Sequence, residues 1–551
     1  MMMNNQEHQT YDVQAWREHT VLNFAVSEYV QHAAWAQAKG LIAPSKVWIG
    51  TWDDVQAYSP NTLQENEQLQ MEDSSFSDDF LICEREDQLI LAGRSERAAL
   101  YAVYQYAADR WGMHWIYLGE AEPSISSPKS NRESFELHSP VMERRGFVFE
   151  NIYDLEYIKS MVDWLAKNKC NEIFFTFMLW DSIGEGLAEE IKRRGINVTL
   201  GGHSMKFFLE KAENDSADKL SDHPYTAKKQ LNYEDLSWQD KLIDDIVLYC
   251  RSVPNLTRLS LWPEDIADRG GTGFLRHYIS FTERLHDRLA AANFPLDVEH
   301  IAYNAGLTWH MLERDELDAS KEIDTLFAYW GRDYRYPFDN KANQSDERAR
   351  QSLLDWISTV HKNDRSLHVF EYYSDHFMLT PLFPMLPTRI AEDIIYYREL
   401  GVDGITNLVV PCRNMDHYPW KWNHGFNSYV FCRSLWGAPI EQILNDYFAY
   451  YSDQERPVVM ALFKAIEEIV TELTYWNVEL FPARAVDPEM AQATPEQAAS
   501  IIALLRKIQS TVKSLIEPSS LDPQGGPYRS ALHLMTHAGE IEQRWLKKLA
   551  E

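Results

Sequence analysis

The sequence predicts an α/β protein with a central (β/α)8 barrel (a TIM barrel), a small α/β domain before it and an all-helical domain after it. Three observations carry this. From Met142 onward, strand-like and helix-like stretches alternate eight times over roughly 270 residues, close to what eight β/α units occupy. After Trp436-Gly-Ala-Pro439 the strand patterns cease and only helical periodicity remains. The competing doubly wound open sheet would need a glycine-rich turn from strand to helix, and none is present where it would be required. These patterns divide the chain into segments 1–135, 136–438 and 439–551. With 551 residues the polypeptide is too long for one ordinary core, which agrees with several domains.

Residues 1–40 read as a polar, helix-leaning lead-in whose apolar part is Val21-Leu-Asn-Phe-Ala-Val26. Lys46-Val-Trp-Ile-Gly50 reads as a strand. Asp79–Cys83 and Gln88–Gly93 have strand length and a charged link, Glu84 to Asp87, which predicts a hairpin. From Arg94 to Trp111, residues Ala99, Leu100, Val103, Tyr104 and Ala107 fill one helical face. Trp115-Ile-Tyr-Leu118 is expected to be a return strand. In the barrel the strands fall near 144–150, 171–178, 196–202, 256–262, 296–303, 324–330, 366–372 and 402–410. Amphipathic helices lie between them, among them 155–167, 187–194, 274–291, 349–361 and 389–400. The polar stretch 210–232 is expected to be an insertion over the barrel mouth. Helices at 440–450, 458–476, 495–516 and 530–549 end the chain, either capping the barrel or forming a homodimer interface.

Composition narrows the function. A formal charge of −30 argues against nucleic acid and against an anionic membrane surface, because nothing balances phosphate repulsion. No apolar run is long enough to span a bilayer. The first ten residues lack a basic region followed by an apolar core, so a cytoplasmic location is expected. Five cysteines, at 83, 170, 250, 412 and 432, are scattered without a C-x-x-C pair, which fits reduced thiols rather than disulfides or zinc. No metal and no cofactor is expected, since no second histidine stands at ligand spacing from His203. Aromatic residues make up 13% of the chain, enough to supply stacking faces for sugar rings as well as core filler.

Side chains at the C-terminal ends of barrel strands line the mouth where chemistry is done. In order, those ends offer Glu150 and Asn151; Trp180 and Asp181; His203; Trp262, Glu264 and Asp265. They continue with Tyr303 and Asn304; Trp330, Arg332 and Asp333; Glu371, Tyr372, Asp375 and His376; and Asn407 and Arg413. Carboxylates, amides and rings in one mouth suit a polyhydroxy ligand, and two facing carboxyl groups are what glycoside hydrolysis requires. Glu264, after the strand Leu256-Thr-Arg-Leu-Ser-Leu261, is the expected general acid, its pKa raised by burial beside Trp262. Glu371 is the expected nucleophile or base. Asp333 would position water, or else serve as a salt-bridge partner of Arg332 and Arg335. Glu150, Trp180, His203, Trp262, Tyr303, Asn304, Trp330, Arg332, Tyr372, His376 and Asn407 are the expected substrate-binding residues. Two glycines before His203 would let a ligand approach the backbone closely. A barrel lyase or isomerase and a non-catalytic sugar-binding barrel are the competing functions.

Gly93-Arg-Ser-Glu-Arg-Ala-Ala-Leu-Tyr-Ala-Val-Tyr104, followed by Trp111-Gly-Met-His-Trp-Ile-Tyr-Leu-Gly119, resembles the domain that precedes the barrel in family 67 α-glucuronidases and in family 163 endo-β-N-acetylglucosaminidases. Gly331-Arg-Asp-Tyr-Arg-Tyr-Pro337, Leu400-Gly-Val-Asp-Gly404 and Ser434-Leu-Trp436 resemble the same wider group. The resemblance implies an acid after strand four, matching Glu264, and a second carboxylate after strand seven, matching Glu371. Inverting α-glucuronidases add an acid after strand six, where Asp333 stands. It implies a uronic-acid or N-acetylhexosamine glycoside as substrate, taken from an imported oligosaccharide. A basic cluster for a uronate is lacking beyond Arg332 and Arg413.

Overall fold

The computed structural model describes residues 12–59, 61–85, 88–118, 124–126, 134–209, 231–263, 273–304, 309–313, 319–375, 382–410, 420–473 and 493–551. The N-terminal part is a five-stranded sheet in the order β1-β2-β4-β3-β7, made of Asp12–Ala15, Lys46–Thr51, Leu89–Gly93, Phe80–Glu84 and Phe135–His138 respectively. β3 and β4 pair antiparallel, as the predicted hairpin requires. Helix α1 (Thr20–Ala38) packs on α4 (Glu96–Trp111), and two short helices, α2 (Trp52–Tyr58) and α3 (Glu65–Glu72), lie between β2 and β3. α4 is buried nearly all round, which explains its run of Ala and Tyr on every face. One side meets the sheet and the other meets the barrel, where the Tyr101 hydroxyl donates to the Cys170 carbonyl at 2.7 Å.

Trp115–Leu118 is not the return strand. The short pair β5 (Met113–His114) and β6 (Ser124–Ile125) precedes it or lies beyond it, and β7 is the strand that joins the sheet, against β3. The apolar run at 115–118 is filler instead. Trp115 packs on Tyr104, with ring centroids 5.3 Å apart. Its carbonyl and that of Ile116 accept from the side chains of Asn168 (3.0 Å) and Trp164 (3.2 Å), so the backbone is satisfied without a strand partner.

The barrel is closed and wholly parallel. Its strands β8 (Arg144–Phe149), β9 (Glu172–Thr176), β10 (Asn197–Gly202), β11 (Leu256–Leu261), β12 (Asp297–Tyr303), β13 (Asp324–Ala328), β14 (Leu367–Asp375) and β15 (Gly404–Val410) pair in sequence, and β15 closes onto β8. Seven end within two residues of the predicted positions; β14 runs three residues further. Around them stand α5 (Leu155–Lys167), α6 (Phe177–Arg194), α7 (Gln239–Cys250), α8 (Phe274–Ala291), α9 (Gln344–Lys362), α10 (Pro387–Leu400) and α11 (Trp420–Ser434). The predicted insertion at 210–232 falls largely outside the described residues. α12 (Ile440–Phe448), α13 (Arg456–Ala465, prolonged to Leu473 through a π turn) and the antiparallel pair α14 (Pro495–Ile516) and α15 (Gly526–Ala550) complete the chain. None of the described helices is long and apolar enough to cross a membrane. Cys83, Cys170, Cys250 and Cys432 are buried free thiols.

Charge fills the lower lumen. Arg144 donates to Glu172 (2.5 and 2.8 Å) and Glu299 (2.7 Å), His368 Nδ1 donates to Glu299 at 3.0 Å, and Arg258 bonds Asp324 at 2.8 Å. Burial alone would raise the Glu299 carboxyl, but Arg144, the His368 hydrogen bond and Arg258 together hold it well below the usual range.

Candidate active site

Strand alternation sorts each side chain to the lumen or to the helical layer. His368 touches the lumenal Arg144, so Phe370 and Tyr372 share its face, whereas Leu367, Val369 and Glu371 point outward. The same count places Glu172, Phe174, Ser260, Glu299, Tyr303, Thr406 and Leu408 inside. Above the charged layer the lumen is closed by Trp262. Its ring lies 5.2 Å from Phe174, 5.3 Å from Phe370 and 5.3 Å from His203, and its Nε1 donates to Ser260 Oγ at 3.0 Å. Trp262 is therefore the floor of the mouth.

Two side chains on that floor anchor the same backbone oxygen. His203 Nδ1 lies 2.7 Å from the Pro263 carbonyl, and the Tyr303 hydroxyl donates to it at 3.0 Å. A carbonyl carries no proton, so His203 Nδ1 carries the one in this hydrogen bond. The tether fixes the last residue before Glu264, which itself lies outside the described residues, as do His376 and Arg413. Gly201 and Gly202 are needed here. A Cβ on Gly201 would come within 1.8 Å of the Ser260 carbonyl oxygen, and one on Gly202 would face Thr176 and Glu150 Oε1. That contact puts Glu150 beside the Trp262 floor.

Beyond Glu371 the alternation breaks. Glu371 pairs with Asn407, but Ser374 pairs with Val409 and Asp375 with Val410, so β14 carries one extra residue. Tyr373 and Ser374 both face outward: the Tyr373 hydroxyl donates to Asp393 on α10 (3.0 Å), and Ser374 Oγ is 3.3 Å from Ser428 Oγ on α11. This bulge returns Asp375, which pairs with the lumen-facing position Val410, to the mouth. Carrying the β15–β8 register one residue on sets Val410 beside Glu150. Asp375 and Glu150 thus flank β15 at one level. The chain leaves β11 toward Glu264 from three strands away on either side, across the ring. Trp330 follows β13 at the same rim, and Asn304 pins it by bonding both its N–H (2.8 Å) and its carbonyl (2.6 Å).

Several expected residues are elsewhere. Glu371 is as buried as Asp375 (3% and 2% exposed); what separates them is direction, for Glu371 lies between β14 and α10. It accepts from Tyr334 at 2.5 Å, from Tyr397, and from Arg332 at 3.2 Å. Burial raises its carboxyl, with Arg332 opposing. Its oxygens are committed to the helical layer, so it has no access to a ligand in the mouth. Arg332 is buried with it, bidentate on Asp393 (2.6 and 2.7 Å) and stacked 4.6 Å over Phe338. It is not available to a substrate carboxylate. Asp333 is the salt-bridge partner of Arg335 (2.7 and 2.9 Å). Trp180 belongs to α6 and packs on the outward Phe175 at 5.7 Å. Asn407 faces outward and donates to Ser374 Oγ at 2.9 Å. The mouth therefore holds Glu150, His203, Trp262, Tyr303, Trp330, Tyr372 and Asp375 among the described residues, with neither Lys nor Arg.

No protein-family model matches the sequence, and no curated protein sequence does either. Solved structures do match. The chain superposes on a GH138 enzyme targeting pectin rhamnogalacturonan II with TM-score 0.58 and 12% identity, over 97% of this chain and 68% of that one. It also superposes on CpGH84B with TM-score 0.52 and 10% identity, over 97% of this chain and 86% of the other. For CpGH84D the TM-score is 0.50 at 10% identity, over 97% and 90%. At these identities the likeness is one of fold. The chain has a (β/α)8 barrel fold with flanking domains, similar to that of glycoside hydrolases in families GH138 and GH84.

Proposed function

We propose that this protein is a glycoside hydrolase acting at the mouth around Asp375, with Glu264 as general acid and Asp375 as nucleophile or base. The observation that carries the reading is the bulge in β14, which spends one residue to turn a carboxylate inward over an aromatic floor. Bulges that re-aim a side chain are frequent beside active sites. The glycoside hydrolases that share the fold support it further.

In the proposed reaction a sugar ring rests on Trp262 and Trp330, and Glu150 and His203 Nε2 form hydrogen bonds with its hydroxyls. Glu264 protonates the departing glycosidic oxygen. Asp375 either attacks the anomeric carbon or takes a proton from an attacking water, and the separation of the two carboxyl groups selects between these. With no cation among the described mouth residues, an uncharged glycoside such as an N-acetylhexosaminide is favoured over a uronide. A panel of aryl glycosides that includes N-acetylglucosaminides and glucuronides tests this. Glu264→Gln and Asp375→Asn are each expected to lower kcat/KM by about 10²–10⁴ while the fold is kept. Full turnover in either variant removes that residue from the mechanism; binding of glycosides with no turnover of any favours a non-catalytic sugar-binding barrel.

A further inference from the structure

A second concavity lies away from the barrel lumen. It is a cleft of about 1110 Å³. Its walls are the first half of α5, residues 117–118, the turn after α12 and the loop joining α14 to α15. α5 starts at the C-terminal end of β8, so the cleft opens at the same end of the barrel as the mouth. Its size exceeds that of an ordinary single-sugar pocket and suits a chain of several units.

The lining has a definite chemistry. Five tyrosines, Tyr117, Tyr157, Tyr450, Tyr451 and Tyr528, contribute to it. They divide into a fixed wall and two partly exposed rings, Tyr450 and Tyr528. The Tyr117 hydroxyl accepts from Tyr447 at 3.2 Å and is hydrogen-bonded to Tyr451, which locks those rings. Tyr450 makes T-shaped contacts with Tyr117 (4.9 Å) and Tyr451 (5.2 Å) and is 42% exposed. Tyr528, half-buried, lines the cleft from the first turn of α15, after Gly525 and Gly526, which add no side chain to narrow it. Between the rings stand Asp154, Glu156, Glu455 and Asp522. Local groups hold all four: Asp154 accepts from the Tyr157 N–H (3.0 Å), Glu156 from the Lys159 ammonium (3.0 Å), Glu455 from the Ser452 hydroxyl (2.8 Å) and Asp522 from the Gln524 N–H (3.0 Å). Each carboxylate has further lone pairs for a ligand hydroxyl. Among the described residues, no Lys, Arg or His is in the lining.

Aromatic rings bind the C–H faces of sugar rings, and carboxylate oxygens accept from their hydroxyls. Four carboxylates, of which Glu156 is paired with Lys159, give the lining an excess of negative charge that repels uronates and sulfated sugars. We propose that this cleft is an auxiliary binding site for an uncharged oligosaccharide, holding part of a glycan chain away from the mouth; it rests on the hydrolase reading for its biological sense but not for its chemistry.

The test is calorimetric titration of the full chain with the pentasaccharides of cellulose, chitin, xylan and mannan, and with penta-galacturonate as the charged control. At least one uncharged chain should bind. Tyr450→Ala and Tyr528→Ala should each weaken that binding about tenfold, while Tyr450→Phe retains it. Turnover of a small aryl glycoside should not change in these variants, because they lie outside the mouth. Absence of binding by every uncharged chain, binding untouched by both alanine variants, or equal binding of galacturonate overturns the proposal. Aryl-glycoside turnover without cleft binding would leave the hydrolase standing and the cleft refuted; tyrosine-dependent binding without any turnover would do the reverse.

Discussion

The two ends of the barrel lumen use carboxylates in opposite ways. At the bottom, Glu172 and Glu299 are buried against Arg144, and His368 completes the cluster. At the top, Glu150 and Asp375 stand over a tryptophan floor with neither Lys nor Arg among the described residues of the mouth. The outer flank of β14 repeats the lower pattern: Glu371 and Asp393 share Arg332 between strand and helix. A buried acid beside a fixed guanidinium holds structure together, because its charge is already answered. Glu150 and Asp375 instead point into the lumen above the tryptophan floor, the side on which we place the ligand. Glu371 and Asp375 are four residues apart on one strand, yet they fall on different sides of this division.

The largest expected effect breaks the lower cluster. Arg144→Ala leaves Glu172 buried without its cation and Glu299 with only Arg258 and His368, and should cost about 3–5 kcal/mol in urea denaturation. The pH dependence follows from the depressed carboxyl of Glu299. Its contribution is present above the ordinary glutamate range, near pH 4.3, and lost as pH falls toward its lower folded value. In Arg144→Ala that acid-side loss should shrink, Arg258 and His368 keeping the rest. A variant as stable as the parent would show that the cluster is ornamental.

Asp346 shifts in the other direction. Burial, followed by the proximity of Asp333 and against the pull of Arg332, pushes it up to about 6. A raised folded pKa means that its contribution is full below the unfolded value near 3.9 and is lost as pH rises through 6. The shift corresponds to about 3 kcal/mol at most. Asp346→Asn removes this titration, so the stability difference between variant and parent should move in favour of the variant between pH 4 and pH 7.5. A difference independent of pH contradicts the assignment. Glu371→Gln comes next, with a cost of about 1–3 kcal/mol from a weakened bond to Arg332. Trp180→Phe, a change in the helical layer, should cost about 1 kcal/mol and leave KM for any glycoside unaltered. A raised KM there would return Trp180 to the binding surface.

Much of the barrel is legible in the sequence because its strands are buried on both faces and bounded by polar turns. The floor is legible too, since Trp262 closes an apolar strand that Pro263 stops. What misleads is the side a residue takes. Glu371 reads as a mouth residue if β14 ends at 372, whereas the strand runs to Asp375. The bulge at Tyr373 and Ser374 has no glycine or proline to announce it. A single extra residue reverses every later side chain, so period-two reasoning puts Glu371 and Asp375 on one face when the strand sends them to opposite ones. Trp180, Arg332 and Asn407 fail for a related reason: proximity to a strand end in sequence says nothing about lumen or helical layer. Trp115–Leu118 fails because an apolar run of strand length is also what a gap between three helices requires.

The most direct test sets the two acids of β14 side by side, measuring kcat/KM on one hydrolysed aryl glycoside, and melting temperature, for Asp375→Asn and Glu371→Gln. Asp375→Asn should lose at least about a hundredfold in kcat/KM with its melting temperature kept, and Glu371→Gln should melt lower but turn over substrate normally while folded. An inactive but stable Glu371→Gln beside a fully active Asp375→Asn would contradict this division of roles.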